Sequence, residues 1–393
     1  MKQLFLLAFL NESGRDPVSI YLPLFLIEKF NSPYILVGLA LTLSTSASAL
    51  FQMIGGILAD SLGRRRTILL SVGVRILTLS GLTIISISAV GSALVAFLAL
   101  YILTEAFNGL FQTATSTMVA DLVEPRKRVE AYGIYHISIN VAFTLGALLG
   151  GLPIAFPLLF VFWLFCMIAD VLIVVPYLKE SWRGSGTRFS PRSLLGGVKD
   201  RYLLAFGLVT LGAGLVANQM GPTLVLYATG SLGVTRDQLG ILYTLNGVLV
   251  ILLQYPISRL LLRYSYSKTL AVASALRAAG FLMIAGLSGF GWLQVVIVAL
   301  TLGETLQTPA GASYAAVLAT ETNRGEYLGF YNWMWNSGMA LSPFVGSYLL
   351  SILAPSAFRA WYVIFLIGVA CSGVYVWLGN MTKRRLPKLA GVL

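Results

Sequence analysis

The stretch FLNESGRDPVS, residues 9–19, decides the fold, because it places Glu12, Arg15 and Asp16 between two apolar runs. If the stretch is a loop, the flanking runs are two short segments and the number of membrane-crossing helices becomes odd. If residues 4–29 form one helix, the charges lie about 15–21 Å along it, near the middle of a bilayer. Composition and charge distribution in the rest of the chain favour the single helix.

The composition of the 393-residue chain indicates an integral membrane protein. Hydrophobic residues make up 57% of it and charged residues only 11%, against roughly 25% charged in a soluble domain. We therefore expect a multi-pass protein of the cell inner (plasma) membrane, with the lipid bilayer as its surroundings. The net charge of +12 would suit nucleic acid, but the chain offers no soluble basic surface for it, so we expect no nucleic-acid partner.

Twelve apolar runs are long enough to cross a bilayer, which takes about 20 apolar residues in a helix. With the N-terminus inside, twenty-one of the 27 Lys and Arg residues fall in one set of loops and three in the other. Because basic loops stay in the cytoplasm, this asymmetry predicts that both termini are cytoplasmic and supports an even span count. The predicted spans are 4–29, 34–58, 67–90, 93–118, 132–154, 157–178, 202–228, 237–262, 269–288, 291–318, 328–353 and 357–379.

The two halves of the chain resemble each other. LLAF occurs at residues 6–9 and 203–206, and LTEAFNGLFQTATSTMVAD aligns with LGETLQTPAGASYAAVLAT so that Glu105 coincides with Glu304. Six spans is an even number, so both copies have the same orientation, as in transporters with a substrate site near the midplane. The sequence predicts an all-α membrane protein of two parallel six-helix repeats. Its parts are an N-terminal bundle (1–178), a cytoplasmic linker (179–201) and a C-terminal bundle (202–393).

The second predicted span ends in GGILADSLGRRRTI, residues 55–68, which fits the pattern G-x-x-x-D-x-x-G-R-R. At this position the pattern resembles the signature of the major facilitator superfamily, and residues 120–133 are similar to the family's loop between helices four and five. The resemblance covers the whole chain. It implies the major facilitator fold and a set of gating residues that holds the halves together when the site faces outward. The gating residues are Gly56, Asp60, Gly63, Arg64, Arg65, Asp121 and Arg128.

The charges of this motif have an electrostatic interpretation. Asp60 ends a helix, where its carboxylate is expected to cap the N-terminus of a neighbouring helix. Arg64 and Arg65 are expected to bridge acids in other loops. The alternative is that these arginines only fix the topology.

Within the superfamily the sequence looks closest to the drug–proton antiporters, with two departures. The family's fourth helix often carries an arginine four residues before a glycine, whereas here Glu105 stands at that distance from Gly109. The fifth helix of the antiporters often reads G-P-x-x-G-G, whereas this chain reads GALLGG, with Ala147 in place of proline. Both departures weaken the antiporter assignment and leave the superfamily assignment intact.

Acidic residues deep in the predicted spans indicate proton coupling. Glu105 and Glu304 lie 16 residues before the expected cytoplasmic ends at Asp121 and Thr320, about 24 Å along a helix. A charged carboxylate at that depth costs at least ~2.5 kcal/mol, which favours binding a proton. The resemblance implies that helices one, four, seven and ten line a central cavity, which places Glu12, Arg15 and Asp16 there too. For these five residues a static salt bridge between helices is the alternative to proton coupling.

Polar and aromatic side chains recur where such a cavity would lie, which suits an amphipathic organic solute. His136 is a candidate proton relay or an ordinary polar packing residue. Arg75, Asp170 and Arg277 lie roughly nine residues from a span edge, so we expect them to snorkel toward the headgroups or to form static pairs. The predicted substrate-binding residues are His136, Asn140, Asn218, Gln219, Tyr243, Asn246, Gln307, Tyr331, Trp335 and Asn336.

These features predict a secondary active transporter that moves a small organic solute by alternating access, with proton-coupled efflux of drug-like compounds as the leading mode. Proton-driven uptake of a sugar, organic acid or other metabolite is the alternative within the class. A membrane receptor or enzyme is the alternative outside it, but the chain offers no nucleophile–base set and no nucleotide-binding motif. With one histidine, and with Cys166 and Cys371 in apolar runs, we expect no metal and no cofactor. We expect a monomer.

Overall fold

The computed structural model describes residues 2–88, 93–124, 127–181, 200–261, 264–286, 289–319 and 324–385, with side chains for all of these except residues 128–130, 324–325 and 383–385. Within these ranges the chain forms fourteen α-helices, and a 3-10 turn, Asn218–Met220, separates the eighth from the ninth. The helices are α1 (Lys2–Ser19), α2 (Leu22–Phe30), α3 (Tyr34–Leu62), α4 (Arg64–Ile87), α5 (Leu94–Leu122), α6 (Arg128–Gly151), α7 (Phe156–Tyr177), α8 (Arg201–Ala217), α9 (Pro222–Leu232), α10 (Arg236–Leu261), α11 (Tyr266–Gly286), α12 (Phe290–Leu318), α13 (Arg324–Ile352) and α14 (Arg359–Arg385).

Ten of the described helices are long and apolar enough to cross a membrane. They match ten of the twelve predicted spans, and the two without a match are the first and the eleventh. The first is divided between α1 and α2, and α1 carries three charges within its second half. The eleventh is one continuous helix, α13, which contains the polar stretch YNWMWNSG. A helix satisfies its backbone hydrogen bonds internally, which explains why the apolar runs take this form in lipid.

The stretch FLNESGRDPVS lies within α1, so its charges are on a helix and not in a loop. The prediction of one uninterrupted helix over residues 4–29 is wrong, because a break at Ile20 and Tyr21 separates α1 from α2. Pro23 stands in the first turn of α2, where backbone N–H groups have no intrahelical partner in any case. The Tyr21 hydroxyl donates to the carbonyl oxygen of Ala147 at 2.9 Å and fixes the break against α6.

The second half of the chain repeats this break. The sequence predicts one span over residues 202–228, but α8 ends at Ala217 and α9 begins at Pro222, with the 3-10 turn between them. Pro222 stands in the first turn of its helix, as Pro23 does in α2. The paired breaks are a structural counterpart of the internal sequence repeat.

The described residues pack into two compact units. One unit contains those of Met1–Phe189 and Thr235–Gly247, and the other contains those of Ser190–Val234 and Val248–Leu393. In the first unit α3 packs along α5, α4 packs on α5 and α7, and α1 packs on α6 and α7. In the second unit α8 packs on α13 and α14, and α11 packs on α12 and α14. Most of the predicted linker, residues 182–199, lies outside the described residues.

The start of α10 packs with the first unit through Arg236. Its Nε donates to the carbonyl oxygen of Gly150 at 2.6 Å, and its Nη1 donates to that of Ile154 at 2.9 Å. The guanidinium carbon lies 4.1 Å from the centroid of the Phe156 ring. The division predicted from sequence gives this segment to the C-terminal bundle, whereas its contacts are with residues of the N-terminal one.

The crossing of α3 and α5 depends on a glycine. Gly109 on α5 faces the backbone carbonyl of Ser48 on α3, and a Cβ at position 109 would overlap that oxygen. Because the obstacle is helix backbone, no change of rotamer relieves the overlap, and the two helices would have to separate. Small residues at such crossings let transmembrane helices approach closely and gain van der Waals contact.

We expect Gly109→Ala to lower the stability of the folded chain by about 1–3 kcal/mol, the usual cost of overpacking. The thermal unfolding midpoint in detergent, followed by loss of monodisperse protein on size exclusion, measures the effect. Gly73→Ala on α4 is the matched control, because a Cβ at that position meets no atom within 4 Å. Equal midpoints for the two variants would contradict the close crossing.

Candidate functional site

Four charged side chains meet in the first unit and form what we call the Arg15 cluster: Glu12, Arg15 and Asp16 from α1, and Glu105 from α5. Glu105 accepts two hydrogen bonds from Arg15 Nε, at 2.9 and 3.1 Å, and one from Nη2 at 2.9 Å. The third nitrogen of Arg15, Nη1, lies 3.5 Å from a Glu12 oxygen and 3.3 Å from an Asp16 oxygen. One guanidinium therefore contacts three carboxylates.

Helical spacing explains why α1 presents these groups together. Glu12 and Asp16 are one turn apart, and Arg15 follows Glu12 by three residues, so the three side chains share a face. The contact with Glu105 depends on packing, because α5 must bring that residue against the same face. The structure thus unites four of the five predicted proton-coupling residues.

Amide side chains surround the acids of the Arg15 cluster. Asn11 donates to Glu12 Oε1 at 2.9 Å and to Asn108 Oδ1 at 3.2 Å. Gln112 donates to Glu12 Oε1 at 3.3 Å, and Gln52 of α3 donates to Gln112 at 3.2 Å. The cluster is therefore the centre of a hydrogen-bonded network that joins α1, α3 and α5.

The Arg15 cluster is buried and its charges do not balance. Glu12, Asp16 and Glu105 are 6%, 5% and 3% exposed, and about a quarter of the Arg15 side chain is exposed. If all three acids were ionised, one cation would face three anions, where each uncompensated charge costs several kcal/mol. Protons held among the carboxyls would compensate the excess of negative charge, so the arrangement is suited to bind and release protons.

Arg75 on α4 and Asp170 on α7 are fully buried, with 0% exposure. Neighbouring helices enclose both side chains, which excludes snorkelling toward the headgroups and leaves static pairing, the other alternative expected from the sequence. Arg75 Nη1 donates to Asn11 Oδ1 at 2.6 Å, which links it to the Arg15 cluster. Its guanidinium carbon lies 5.7 Å from the ring centroids of Phe111 and of Trp163.

In the second unit, Glu304 on α12 faces Arg277 on α11. Glu304 is half-buried, whereas Arg277 is 8% exposed and its aliphatic stem packs against Gly303. Snorkelling is wrong for Arg277 as well. The sequence repeat equates Glu304 with Glu105, and each acid acts on the arginine at the matching position of the preceding helix, Arg277 or Arg75. Glu105 differs in that it also bonds to Arg15 of α1.

His136 and Asn140, two of the predicted substrate-binding residues, lie one turn apart on α6. His136 is exposed, and its ring lies edge-on to Tyr135 with centroids 6.1 Å apart. Asn140 donates to the backbone carbonyl of His136 at 2.8 Å, a bond within the helix. The amide of Asn140 therefore serves its own helix.

Several other predicted substrate residues take part in packing. Asn218 and Gln219 donate to backbone carbonyls of α13, at 2.9 and 3.2 Å, and tie the 3-10 turn to that helix. Gln307 is buried and donates to the Tyr375 hydroxyl at 3.4 Å. These bonds explain why polar groups are tolerated at buried positions.

The remaining predicted substrate residues lie at separate places. Tyr331 is buried and stacks on another aromatic ring of the second unit, with centroids 5.6 Å apart. Tyr243 and Asn246 are buried in the part of α10 that packs with the first unit. Trp335 is half-buried and Asn336 is exposed. A role for any of these residues in substrate binding stays a prediction.

Charges hold the turn between α3 and α4, although not in the predicted way. Arg64 bridges Asp60 at 3.0 Å and Asp121 at 2.9 Å. The N-terminus of α4 is capped by Glu180, which accepts from the backbone N–H groups of Arg64 at 2.9 Å and Arg65 at 3.1 Å. Asp60, the expected cap, instead pairs with a side chain one turn ahead of it.

Gly63 makes room for this cap. Its φ of +93° lies in a region that suits glycine, and a Cβ there would overlap the Glu180 carboxylate. At Gly56 a Cβ meets no atom within 4 Å, so that position of the motif has free space. The side chain of Arg128 lies outside the described residues, and its gating role stays a prediction.

Sequence reasoning missed the amides of the network and the Glu180 cap. Asn108 and Gln112 follow Glu105 by three and seven positions, so a polar stripe at helical spacing was the available signal for them. Glu180 gave no local signal, because it lies 116 positions from the helix that it caps. Among the described residues, no group of His, Cys, Asp or Glu side chains is arranged to hold a metal ion.

Comparison with known sequences gives matches along nearly the whole chain. A profile of the Major Facilitator Superfamily matches residues 4–217 and 202–391. Multidrug resistance protein MdtH of Cronobacter sakazakii is 25% identical over 369 residues, which cover 90% of this chain and 88% of that protein. The Na(+), Li(+), K(+)/H(+) antiporter of Planococcus maritimus is 22% identical over 402 residues, which cover 93% of this chain and 92% of that protein.

Comparison with solved structures gives the same architecture. The nucleoside transporter NupG matches with a TM-score of 0.80 over 96% of this chain and 99% of that one, at 13% sequence identity. At such low identity the similarity concerns the fold alone.

Proposed function

Since the chain belongs to the major facilitator superfamily, we propose that it exports amphipathic, drug-like compounds in exchange for protons. Membership makes it a multi-pass transporter of the cell inner membrane with small-molecule substrates, and not an enzyme. The resemblance seen in the sequence is thereby confirmed. Export, proton exchange and the amphipathic nature of the substrate are the proposed part.

One observation carries proton exchange: in the Arg15 cluster a single guanidinium contacts three buried carboxylates. Such a cluster is cheapest when protons compensate its excess of negative charge, and it becomes costly when they leave. A transporter whose two facings expose the cluster differently therefore binds protons more tightly in one facing than in the other. Proton release in one compartment and uptake in the other would then drive the exchange.

The proposal uses the topology expected from the sequence. Twelve spans form the bundles 1–178 and 202–393, joined by a cytoplasmic linker at 179–201, with both termini in the cytoplasm. The asymmetry of Lys and Arg between loops supports this orientation. The Arg15 cluster is complete within one chain, so the exchange needs no second copy and we propose a monomer.

The proposed substrate class rests on the relatives and on composition. One relative is named a multidrug resistance protein and another an antiporter of monovalent cations and protons. Both names fit export against protons. The aromatic and amide side chains of YNWMWNSG, residues 331–338, suit a solute with apolar and polar parts.

Reconstitution tests the proposal. Liposomes that contain the purified chain and an internal pH-sensitive dye are prepared at equal pH on both sides, with the membrane potential clamped. A quaternary organic cation such as tetraphenylphosphonium is then added outside, because its fixed charge cannot carry protons by itself. Exchange would move the cation in and protons out, so we expect the interior to become alkaline, at a rate several-fold above that of empty liposomes.

The sign of the pH change separates the alternatives. Interior acidification on adding a sugar or an organic acid would support proton-driven uptake and contradict export. Alkalinisation by Na⁺ or K⁺ but not by organic cations would contradict the organic substrate class and leave proton exchange in place. No response to any of these solutes, relative to empty liposomes, would contradict proton coupling.

A further inference from the structure

We propose that Asp170 is a proton-binding site in its own right, and that its protonation decides whether Arg75 binds Asn11 or Asp170. The site lies outside the Arg15 cluster and is connected to it. Proton binding at Asp170 is argued from the contacts around Asp170 and does not depend on the proposed function. Only the role of that proton in transport rests on the proposed function.

Asp170 is a buried acid without a partner. It is 0% exposed, and neither of its carboxyl oxygens has a hydrogen-bond partner among the described residues. The titratable groups that act on it are Arg75 from α4 and Cys166 from its own helix. From α1, the other helix packed on α7, Gly14 lies against Cys166 and Trp163. Glu12 and Arg15 of α1 and Glu105 of α5 act on Arg75.

Arg75 is held next to Asp170 with donors to spare. Its Nη1 donates to Asn11 Oδ1 at 2.6 Å, while its Nε and Nη2 are buried and have no hydrogen-bond acceptor among the described residues. The rings of Phe111 and Trp163 enclose the guanidinium, each with its centroid 5.7 Å from Cζ. The cation therefore has unused donors and the acid unused acceptors, and the two groups interact through their charges without a direct bond.

This unpaired arrangement fits a protonated Asp170. An ionised carboxylate in an apolar interior is strongly drawn to a neighbouring guanidinium, and the pair is stable only when ion pairing and hydrogen bonding are complete. A neutral carboxylic acid exerts no such attraction, so Arg75 is free to donate to Asn11. The structure therefore shows the arrangement expected with the proton bound.

Loss of the proton changes the balance. The O–H bond of the Asp170 carboxyl breaks, the proton leaves toward water, and the electron pair stays on the oxygen. The carboxylate then attracts the free Nε and Nη2 donors of Arg75, and closing that ion pair pulls Nη1 away from Asn11. Arg75 thus has two alternative partners, and the proton on Asp170 selects between them.

The exchange of partners by Arg75 affects the Arg15 cluster through Asn11. The same amide that accepts from Arg75 donates to Glu12 at 2.9 Å and to Asn108 at 3.2 Å. Release of Arg75 frees the oxygen of Asn11, and the amide can then turn and weaken its bond to Glu12. Protons at Asp170 and at the Arg15 cluster are therefore coupled through one side chain.

Infrared spectroscopy tests proton binding without a known substrate. The carbonyl-stretch band of protonated carboxyls is recorded for the purified full chain across the pH range in which it stays folded, in H₂O and D₂O. We expect Asp170→Asn to remove the intensity of one carboxyl from the band that disappears on alkalinisation. Asp170→Glu should restore it, and Asp237→Asn, at a fully exposed position, should leave the buried-carboxyl band unchanged.

Each outcome decides the inference. An identical band in the wild type and Asp170→Asn would overturn proton binding at Asp170, and a band component that never titrates would overturn the switch. If Asp170→Asn does not fold, Asp16→Asn labelled with carboxyl-¹³C aspartate replaces it, because Asp170 is then the one buried aspartate left among the described residues. A shifted band would support proton binding at Asp170, and an unshifted band would overturn it. If Asp170→Asn loses the band but the wild type shows no proton-linked transport, the proposed function alone is refuted. If the wild type shows proton-linked transport but Asp170→Asn keeps the band, the inference alone is refuted.

Discussion

Arg15→Met should lower the free energy of unfolding by about 3–5 kcal/mol near neutral pH, the usual effect of removing one partner from a buried ion pair. The variant leaves Glu12, Asp16 and Glu105 without the guanidinium that contacts all three. The loss should shrink as the pH falls, because protonated carboxyls need no cation. Denaturation of the purified chain in mixed detergent micelles, at several pH values, measures the change.

Two further variants give this prediction its controls. Arg201→Met removes an exposed arginine that packs on the ring of Tyr202, and we expect a change within about 0.5 kcal/mol. Arg15→Met combined with Glu105→Gln should recover part of the stability, because the double variant buries one fewer unpaired acid. If Arg15→Met were as stable as Arg201→Met at neutral pH, the cluster would not be a buried ion network.

Glu105→Gln should reduce proton-linked transport at least about tenfold, equivalent to about 1.4 kcal/mol of lost coupling. Glutamine fills the same space but cannot take up a proton, and it leaves Arg15 bound to Glu12 and Asp16 in both facings. The dye-loaded liposomes described above measure the rate of pH change. Binding of the transported compound, measured by its fluorescence or by calorimetry, should persist, because the defect lies in coupling.

Glu28→Gln is the matched control for this variant, since Glu28 is exposed on α2 and should transport as the wild type does. Glu304→Gln should also impair transport, but less, because Glu304 is half-buried and faces one cation without an excess of acids. A wild-type rate in Glu105→Gln, with protein amounts matched, would remove Glu105 from proton coupling.

Glu105 and Glu304 show which structural features the internal sequence repeat predicts and which it does not. The repeat predicted equal depth for the two acids, and both lie on long helices that are apolar enough to cross a membrane. Each acid also acts on the arginine at the matching position of the preceding helix, Arg75 or Arg277. The repeat did not predict the bond of Glu105 to Arg15 of α1, because that contact depends on how α1 packs beside α5.

The break in the first helix and the cap on α4 also involve contacts between residues far apart in the sequence. Pro23 and Pro222 were visible as paired residues, yet the hydropathy of the flanking runs predicted uninterrupted spans. Asp60 is the acid nearest in sequence to the turn after α3, but the N-terminus of α4 is capped by Glu180. Tyr21 is 126 positions from Ala147, and Glu180 is 116 positions from Arg64. The neighbouring sequence could therefore not predict either contact.

The sequence by itself determined the membrane setting, the all-helical class and the family. Apolar runs, motifs and repeats are properties of order along the chain, and lipid forces each apolar run into a helix. Only the tertiary structure decided which charges meet. Arg15 and Glu105 are 90 positions apart and Arg75 and Asn11 are 64 apart, and helix packing brings them within hydrogen-bonding distance. A buried charge is stable only with its partner, so packing also decided which acids are left to bind protons.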